Sequence, residues 1–598
     1  VPWRWSGVAV GAVAAVLLFV LFVGFTVVKL ETARSSLEQA RASLTSIGDN
    51  PSALAKSDGR AAALIELRSA EAQSATAHGT LTDIPLSGLL TRVPVIGRQL
   101  QGAIDLAGDI HTATGLGVTL LNRVAALQDA SSGTTVSLTK LAALRSSVES
   151  ATATLTSLDR PSGGLIAPIG AARASFDHQI SKYTTELERG SGVLGYLGVF
   201  LGGEGPRSYL LAAENQAEMR DQGSVLSVAQ ITAIDGHVDA NAPTSVSAYT
   251  LTEPIDYPIP AGTQAVFGLD RPTQLWQSAN LTADFPWTGG DLVGMDKAAT
   301  GTQDDGVVAL DVHALAAILS VSGSVEVAGV SVPVTSSNVT PLLLDTLYQR
   351  NPLGPQEQRQ DETAAVATAV IKKLSGEHVD LARLARALTG EIASRHLLLY
   401  DTDPSQEQTL TSYGASGAVN QSDPTRTFHL AVENATASKL DYFLTTSISQ
   451  RVIVSNSGTA TVITSVAVVN HARAHHAPSE QYGPDGRYAH VPGEYAGIAY
   501  LWSPEGSIES GAVSESGLEL TARNVDLLPG QETTLIYATI IPKALVGHVL
   551  RIHWIPQPAV HVQQLSLTVS GIGTEARAAS SARVSLSKDY SGSWTFPR

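Results

Sequence analysis

The 22-residue run Gly7 to Val28 (GVAVGAVAAVLLFVLFVGFTVV), with no charge and no amide side chain, constrains this chain more than any other feature. As a helix it would extend about 33 Å, enough to cross a hydrocarbon core of roughly 30 Å. A cleaved secretory signal has a shorter apolar stretch and a small-x-small site. Here Val27-Val28-Lys29-Leu30-Glu31 follows, with no such site. Trp3 and Trp5 sit where an interfacial aromatic belt would lie. The expectation is a retained signal-anchor in residues 1–30, a single-pass transmembrane helix with the lipid bilayer as the partner of residues 7–28. Arg4 lies on one side, Lys29 and Arg34 on the other, so local charge does not set the orientation.

At 598 residues the chain is too long for one compact domain. A net charge of −16 argues against wholesale binding to nucleic acid, and none is expected as a partner. The chain has no cysteine, which excludes disulfides, thiolate metal sites and cysteine nucleophiles. Residues 31–190 are rich in Ala, Ser, Thr and Leu, with apolar stripes such as Val136, Leu138, Leu141, Leu144, Val148, Leu155 and Leu158. That pattern predicts a helical bundle or stalk. The glycine-rich stretch Gly190–Gly203 reads as a packed linker.

Residues 191–424 alternate strand and helix patterns and predict a central α/β (α+β) domain. Asp311 stands where an N-cap belongs, before an apolar helix over residues 312–319. From residue 425 the period switches to two. Gln450–Val454, a Ser455-Asn456-Ser457-Gly458 turn and Ala460–Val469 predict a hairpin, within a β-sandwich-like domain over residues 425–575. Residues 576–598 read as a C-terminal tail or short docking strand. The expected fold class is thus multidomain: transmembrane helix, helical stalk, α/β domain and β-sandwich.

Three stretches carry a family resemblance. They are Asn215-Gln216-Ala217-Glu218-Met219-Arg220-Asp221-Gln222-Gly223-Ser224; Asp305-Gly306-Val307-Val308-Ala309-Leu310-Asp311, followed by Val321-Ser322-Gly323-Ser324-Val325-Glu326-Val327; and Asn434-Ala435-Thr436-Ala437-Ser438-Lys439-Leu440-Asp441-Tyr442. Together they resemble the DUF4012 family of membrane-anchored actinobacterial proteins. Ser224 and Ser324 depart from the family's usual glycine and proline. The resemblance implies a cell-membrane protein with its bulk extracytoplasmic. It also implies a structural or interaction role in the cell envelope, with cell-wall or polysaccharide-assembly components as candidate partners.

A weaker likeness, to the LytR–CpsA–Psr envelope transferases, implies an alternative: transfer of a glycopolymer from a polyprenyl-pyrophosphate carrier. Its catalytic candidates are Arg220, Asp221, Asp305, Asp311 and Arg359. Arginine would grip pyrophosphate through paired charge-assisted hydrogen bonds, and aspartate would hold Mg²⁺. Each candidate also has a plain structural reading as a turn former, strand boundary or cap. No cofactor is expected outside that alternative. The chain has no dinucleotide, P-loop, zincin or nucleophile-elbow motif. His471, His475 and His476 have no acidic neighbour and read as a solvated loop.

Overall fold

Apolar residues at three- and four-residue spacing, with Ala, Ser and Thr between them, build four helices in the computed structural model: α1 (Ser57–Thr82), α2 (Ile96–Asp129), α3 (Leu138–Ser157) and α4 (Ala167–Phe200). The structure describes residues 57–82, 96–158, 163–350, 352, 356–376, 379–419, 426–506, 508, 511–571 and 580–596. Leu67, Ile110, Leu144, Val148, Leu155, Phe176 and Leu187 form the bundle core. Within it Arg173 is nearly buried between Asp109, at 2.5 Å, and Asp177, at 2.7 Å. Residues 190–200, expected as a linker, are the last turns of α4. Gly192 is what lets Tyr413 approach there, since a Cβ would lie 2.0 Å from its hydroxyl.

Beyond α4 the chain enters a twisted sheet. Its strands are β1 (Arg207–Asn215), β2 (Ser224–Ile234), β3 (His237–Ala240), β4 (Gly306–Leu310) and β5 (Leu397–Asp401), in the order β3-β2-β1-β4-β5, with a further two-residue strand on β2. Strands β1 and β4 are parallel; β2 and β5 run against them. Alternate side chains serve opposite faces. Leu210, Ala212, Val307, Ala309 and Leu398 pack against Leu292 and Met295 of α5 (Phe285–Thr300). Tyr209, Ile231 and Val308 face Tyr196 of α4 and Ala314 of α6 (Val312–Ser322). Helices α7 (Gln356–Gly376) and α8 (Leu381–Ala393) follow, and Ile392 of α8 joins this second face. Arg60 of α1 pairs with Asp380 at the start of α8 at 3.2 Å and ties the bundle to this lobe.

The period-two segments then form two facing sheets. One contains β6 (Thr427–Asn434), β9 (Tyr495–Ser503), β10 (Leu518–Leu527), β12 (Val549–Ile555) and β15 (Tyr590–Thr595), with two short edge strands. The other orders β11 (Glu532–Ile541), β8 (Ala460–Asn470), β7 (Leu444–Val454), β13 (Gln564–Gly571) and β14 (Ser580–Ser585). Phe428, Leu430, Val452, Val466, Trp554 and Leu567 fill the space between them. The β7–β8 hairpin turns at Ser455–Gly458, as its sequence predicts. Residues 580–595, read as tail, supply one strand to each sheet.

One expectation is corrected. Residues 7–28, the expected transmembrane helix, lie outside the described residues. Among the described residues no helix is long and apolar enough to cross a membrane. The fold class becomes a helical region, an α/β lobe and a β-sheet-rich lobe. The single-pass topology, the bilayer as partner and the cell-membrane, extracytoplasmic placement are not supported by the structure.

The buried Arg173 ion pair has a measurable signature. Replacing Asp109 by Ala leaves a guanidinium short of a partner in the core and should cost about 3–5 kcal/mol. The double replacement Asp109→Leu, Arg173→Met should recover part of that loss, because the Asp109–Arg173 pair is gone while Asp177 gives up its 2.7 Å contact with Arg173. Denaturant unfolding followed by helical circular dichroism reads both.

Candidate metal centre

Strands β1 and β4 are parallel and in register from Tyr209↔Gly306 to Ala213↔Leu310, so their carboxyl ends leave the sheet side by side. β5 runs the other way, so its first residue arrives at the same end. Three loops therefore meet there: Asn215–Ser224 after β1, Asp311–His313 after β4, and Arg395–His396 before β5. In open α/β sheets ligands bind at this end.

Asp311 begins the site as a helix cap. Its Oδ1 accepts the backbone N–H groups of His313, at 2.7 Å, and Ala314, at 3.2 Å. This satisfies the first turn of α6 and leaves Oδ2 directed at His396 Nδ1, 2.5 Å away. His396 is aimed by the end of α8. Arg395 adopts left-handed backbone, φ +65°, and the His396 N–H bonds back to Glu391 O at 2.8 Å, closing the helix in a Schellman turn. That conformation costs a non-glycine residue about 1–2 kcal/mol. It is held by the Arg395 guanidinium, which donates to Ala283 O, at 3.0 Å, and Gly417 O, at 2.8 Å.

The His313 ring stacks on His396 with centroids 4.4 Å apart, and its Nδ1 lies 2.8 Å from Gln216 Oε1. Gln216 is fully buried; its amide nitrogen is 3.1 Å from His396 Nδ1 and also donates to Pro558 O of the β-sheet lobe. Asp311, His313 and His396 each direct one ligand atom into a common space, all within 4.8 Å of one another.

Burial, and then the neighbouring His396, push His313 down to about 4, so its ring is neutral near pH 7 and carries a free lone pair. Its 3.9 Å approach to Asp311 is therefore not an ion pair at that pH. Burial opposes the charge on His396, but the Asp311 carboxylate outweighs it and the net shift is upward. Burial lifts Glu391, within electrostatic range of both, to about 7. Two imidazoles and a carboxylate form a donor set for zinc, manganese or iron rather than for Mg²⁺, which prefers oxygen ligands alone.

The other candidates from the sequence lie elsewhere. Asp305 precedes β4 and Asp311 follows it, six residues and about 20 Å apart along an extended strand, so the two cannot hold one ion. Asp305 accepts from Arg207 Nη1 at 3.0 Å and from the Ser208 N–H at 2.9 Å, and so bounds the strand. Arg220 donates to Met219 O at 3.0 Å and to Asn434 O at 2.8 Å, and Asp221 meets His429 Nε2 at 2.5 Å with neither side chain exposed. The Arg359 side chain lies outside the described residues.

The segment Asn215–Ser224 is instead a clasp between the lobes. Glu218 forms a buried ion pair with Lys439, whose charge burial would suppress but the Glu218 carboxylate sustains, a net upward shift. Asp441 Oδ2 accepts the Met219 N–H at 3.1 Å and the Asn434 amide at 2.7 Å, and its Oδ1 accepts the Tyr495 hydroxyl at 3.0 Å. The Asn434 N–H donates to Met219 O at 3.0 Å, and the Gln557 amide donates to Arg220 O at 3.1 Å. Gly223 is required by its backbone, φ +127°, where a side chain would be strained.

The DUF4012 family, described as a protein of unknown function, matches residues 204–348, about a quarter of the chain. No curated protein and no solved structure matches significantly. The resemblance read across most of the chain thus narrows to β1–β4, the clasp, α5 and α6, and β5 and Asn434–Tyr442 fall outside it. A match over this part carries neither membrane anchoring nor an actinobacterial source. The membrane-anchored envelope role and its cell-wall or polysaccharide-assembly partners are left without support. Of the transferase candidates, Arg220 and Asp221 are engaged in the clasp, and Asp305 and Asp311 bound opposite ends of β4.

The clasp has a pH signature. Burial pushes Asp441 from 3.8 to about 7, so the folded protein holds a proton there that the unfolded chain releases near pH 4. Stability from this group is complete below pH 4 and is lost as pH rises through 7. Burial raises Asp284 and Asp401 to about 6 and Glu407 to about 7, with the same sign. The unfolding midpoint should be higher at about pH 5.5 than at about pH 8. Asp441→Asn should flatten part of that slope in thermal scans.

Proposed function

We propose that the protein binds one divalent transition-metal ion through Asp311, His313 and His396, at the carboxyl ends of β1 and β4. The supporting observation is the convergence of three ligand atoms from two separate loops within 4.8 Å. Metal–nitrogen and metal–oxygen bonds of about 2.0–2.2 Å require ligand pairs no more than about 4.4 Å apart. Shifts of less than about an ångström from these positions accommodate the ion. Binding displaces the proton between Asp311 and His396, while His313, whose Nδ1–H donates to Gln216 Oε1, offers its lone pair at Nε2. Three protein ligands leave at least one coordination position open, on the side of the part-exposed His313.

A second reading has its own observation. The 2.5 Å Asp311–His396 hydrogen bond is also what a purely structural proton-sharing pair would form.

Titration of the chelator-treated protein with ZnCl₂ and MnCl₂, with metal content read by mass spectrometry, separates the two. The expected result is one equivalent of tightly held metal, with affinity falling at least about 100-fold in His396→Ala and in Asp311→Asn. Asp311→Asn is the sharper variant, because an asparagine oxygen still caps α6. Retention of no metal by the wild type would leave the proton-sharing reading.

A further inference from the structure

The three ligands all belong to the α/β lobe, and a loop of the other lobe contacts the residues around them. It is the loop joining β12 to β13. Pro558 O takes the Gln216 amide, and Val560 packs into the apolar cluster around Val312 and Leu315 beside His313. His561 follows, exposed, with its Nε2 3.0 Å from Tyr442 O. A carbonyl only accepts, so Nε2 carries the ring hydrogen in neutral His561 and Nδ1 carries the lone pair. Ligand histidines are oriented in this way, one nitrogen donating to an oxygen and the other free for the metal. Tyr442 itself packs in the same cluster, with its ring centroid 6.4 Å from that of His561.

Resting on the metal reading above, we propose that His561 Nδ1 supplies a further ligand from the β-sheet lobe, so that the ion bridges the two lobes across their seam. His561 is outside the set already within 4.8 Å. It reaches the ion by movement of an exposed side chain on an irregular loop.

The test uses the full chain and Zn²⁺ or Co²⁺. His561→Ala removes an exposed ring and should leave the fold intact. Zn²⁺ affinity, measured by competition with a chromophoric chelator, should fall at least about tenfold, and the Co²⁺ visible spectrum should change. His561→Cys should restore affinity and add a thiolate-to-cobalt charge-transfer band. That band would be unambiguous, because the chain has no other cysteine. Unchanged affinity and Co²⁺ spectrum in His561→Ala, with metal still lost in His396→Ala, would overturn the bridge and leave the three-ligand site standing. A wild type that binds neither ion would overturn both.

Discussion

Burying a polar ten-residue turn between two lobes is ruinous unless each of its amides and carbonyls meets a partner, since every unpaired group costs about 1–3 kcal/mol. The junction meets most of that requirement for Asn215–Ser224, with Gln222 Oε1 and Ser224 Oγ left over. Its backbone is answered by Asn434, Asp441 and Gln557 of the β-sheet lobe, and its charges by Lys439 and His429. The dependence runs both ways. Met219 and Arg220 satisfy the Asn434 backbone, and without the turn Asp441 would lose the Met219 N–H and keep only the Asn434 amide and the Tyr495 hydroxyl. Separating the lobes would exchange these hydrogen bonds for bonds to water. The α/β and β-sheet lobes are thus joined by a dense polar seam, although each has its own apolar core.

This explains why the polar turn misleads as a functional motif. Its Arg, Asp, Glu and Gln are the residue types that bind phosphates and metals, and the same types are the ones able to satisfy a buried turn. Composition cannot tell the two uses apart; the partner can. Arg220 faces carbonyls and a glutamate, and Asp221 faces a histidine 208 positions away in sequence. That distance carries no local signal. Where local physics decides, the sequence is legible. The Asp311 cap, the Ser455–Gly458 hairpin turn and the apolar stripe of α3 all follow from residues within a few positions of one another.

The remaining discrepancies share a physical cause. Gly190–Gly203 reads as a linker because glycine disfavours helix, but tertiary contact overrides propensity where Tyr413 needs room against α4. Residues 580–595 read as tail because they are polar and Ser-rich, but each strand borrows its partner from a distant one, β14 from β13 and β15 from β12. The site shows the same division. Asp311-Val312-His313 stands together in the sequence but passes as the ordinary start of a helix. His396 arrives only because β5 runs antiparallel to β4, which a one-dimensional pattern does not contain.

The position of the histidine pair then follows from the clasp. At the carboxyl ends of parallel strands, a loop left open to water would present its amides to any ligand. Here the loop after β1 is spent on the other lobe, and the space next to it is what remains. Gln216 belongs to both: one end of its amide touches His313, and the other reaches Pro558 across the seam. A fully buried amide has little freedom to satisfy one neighbour without constraining the other. Any change in what the His313 and His396 nitrogens hold, whether a proton or an ion, must alter the hydrogen bonds open to Gln216. The chemistry of the site and the cohesion of the lobes thus meet in one side chain.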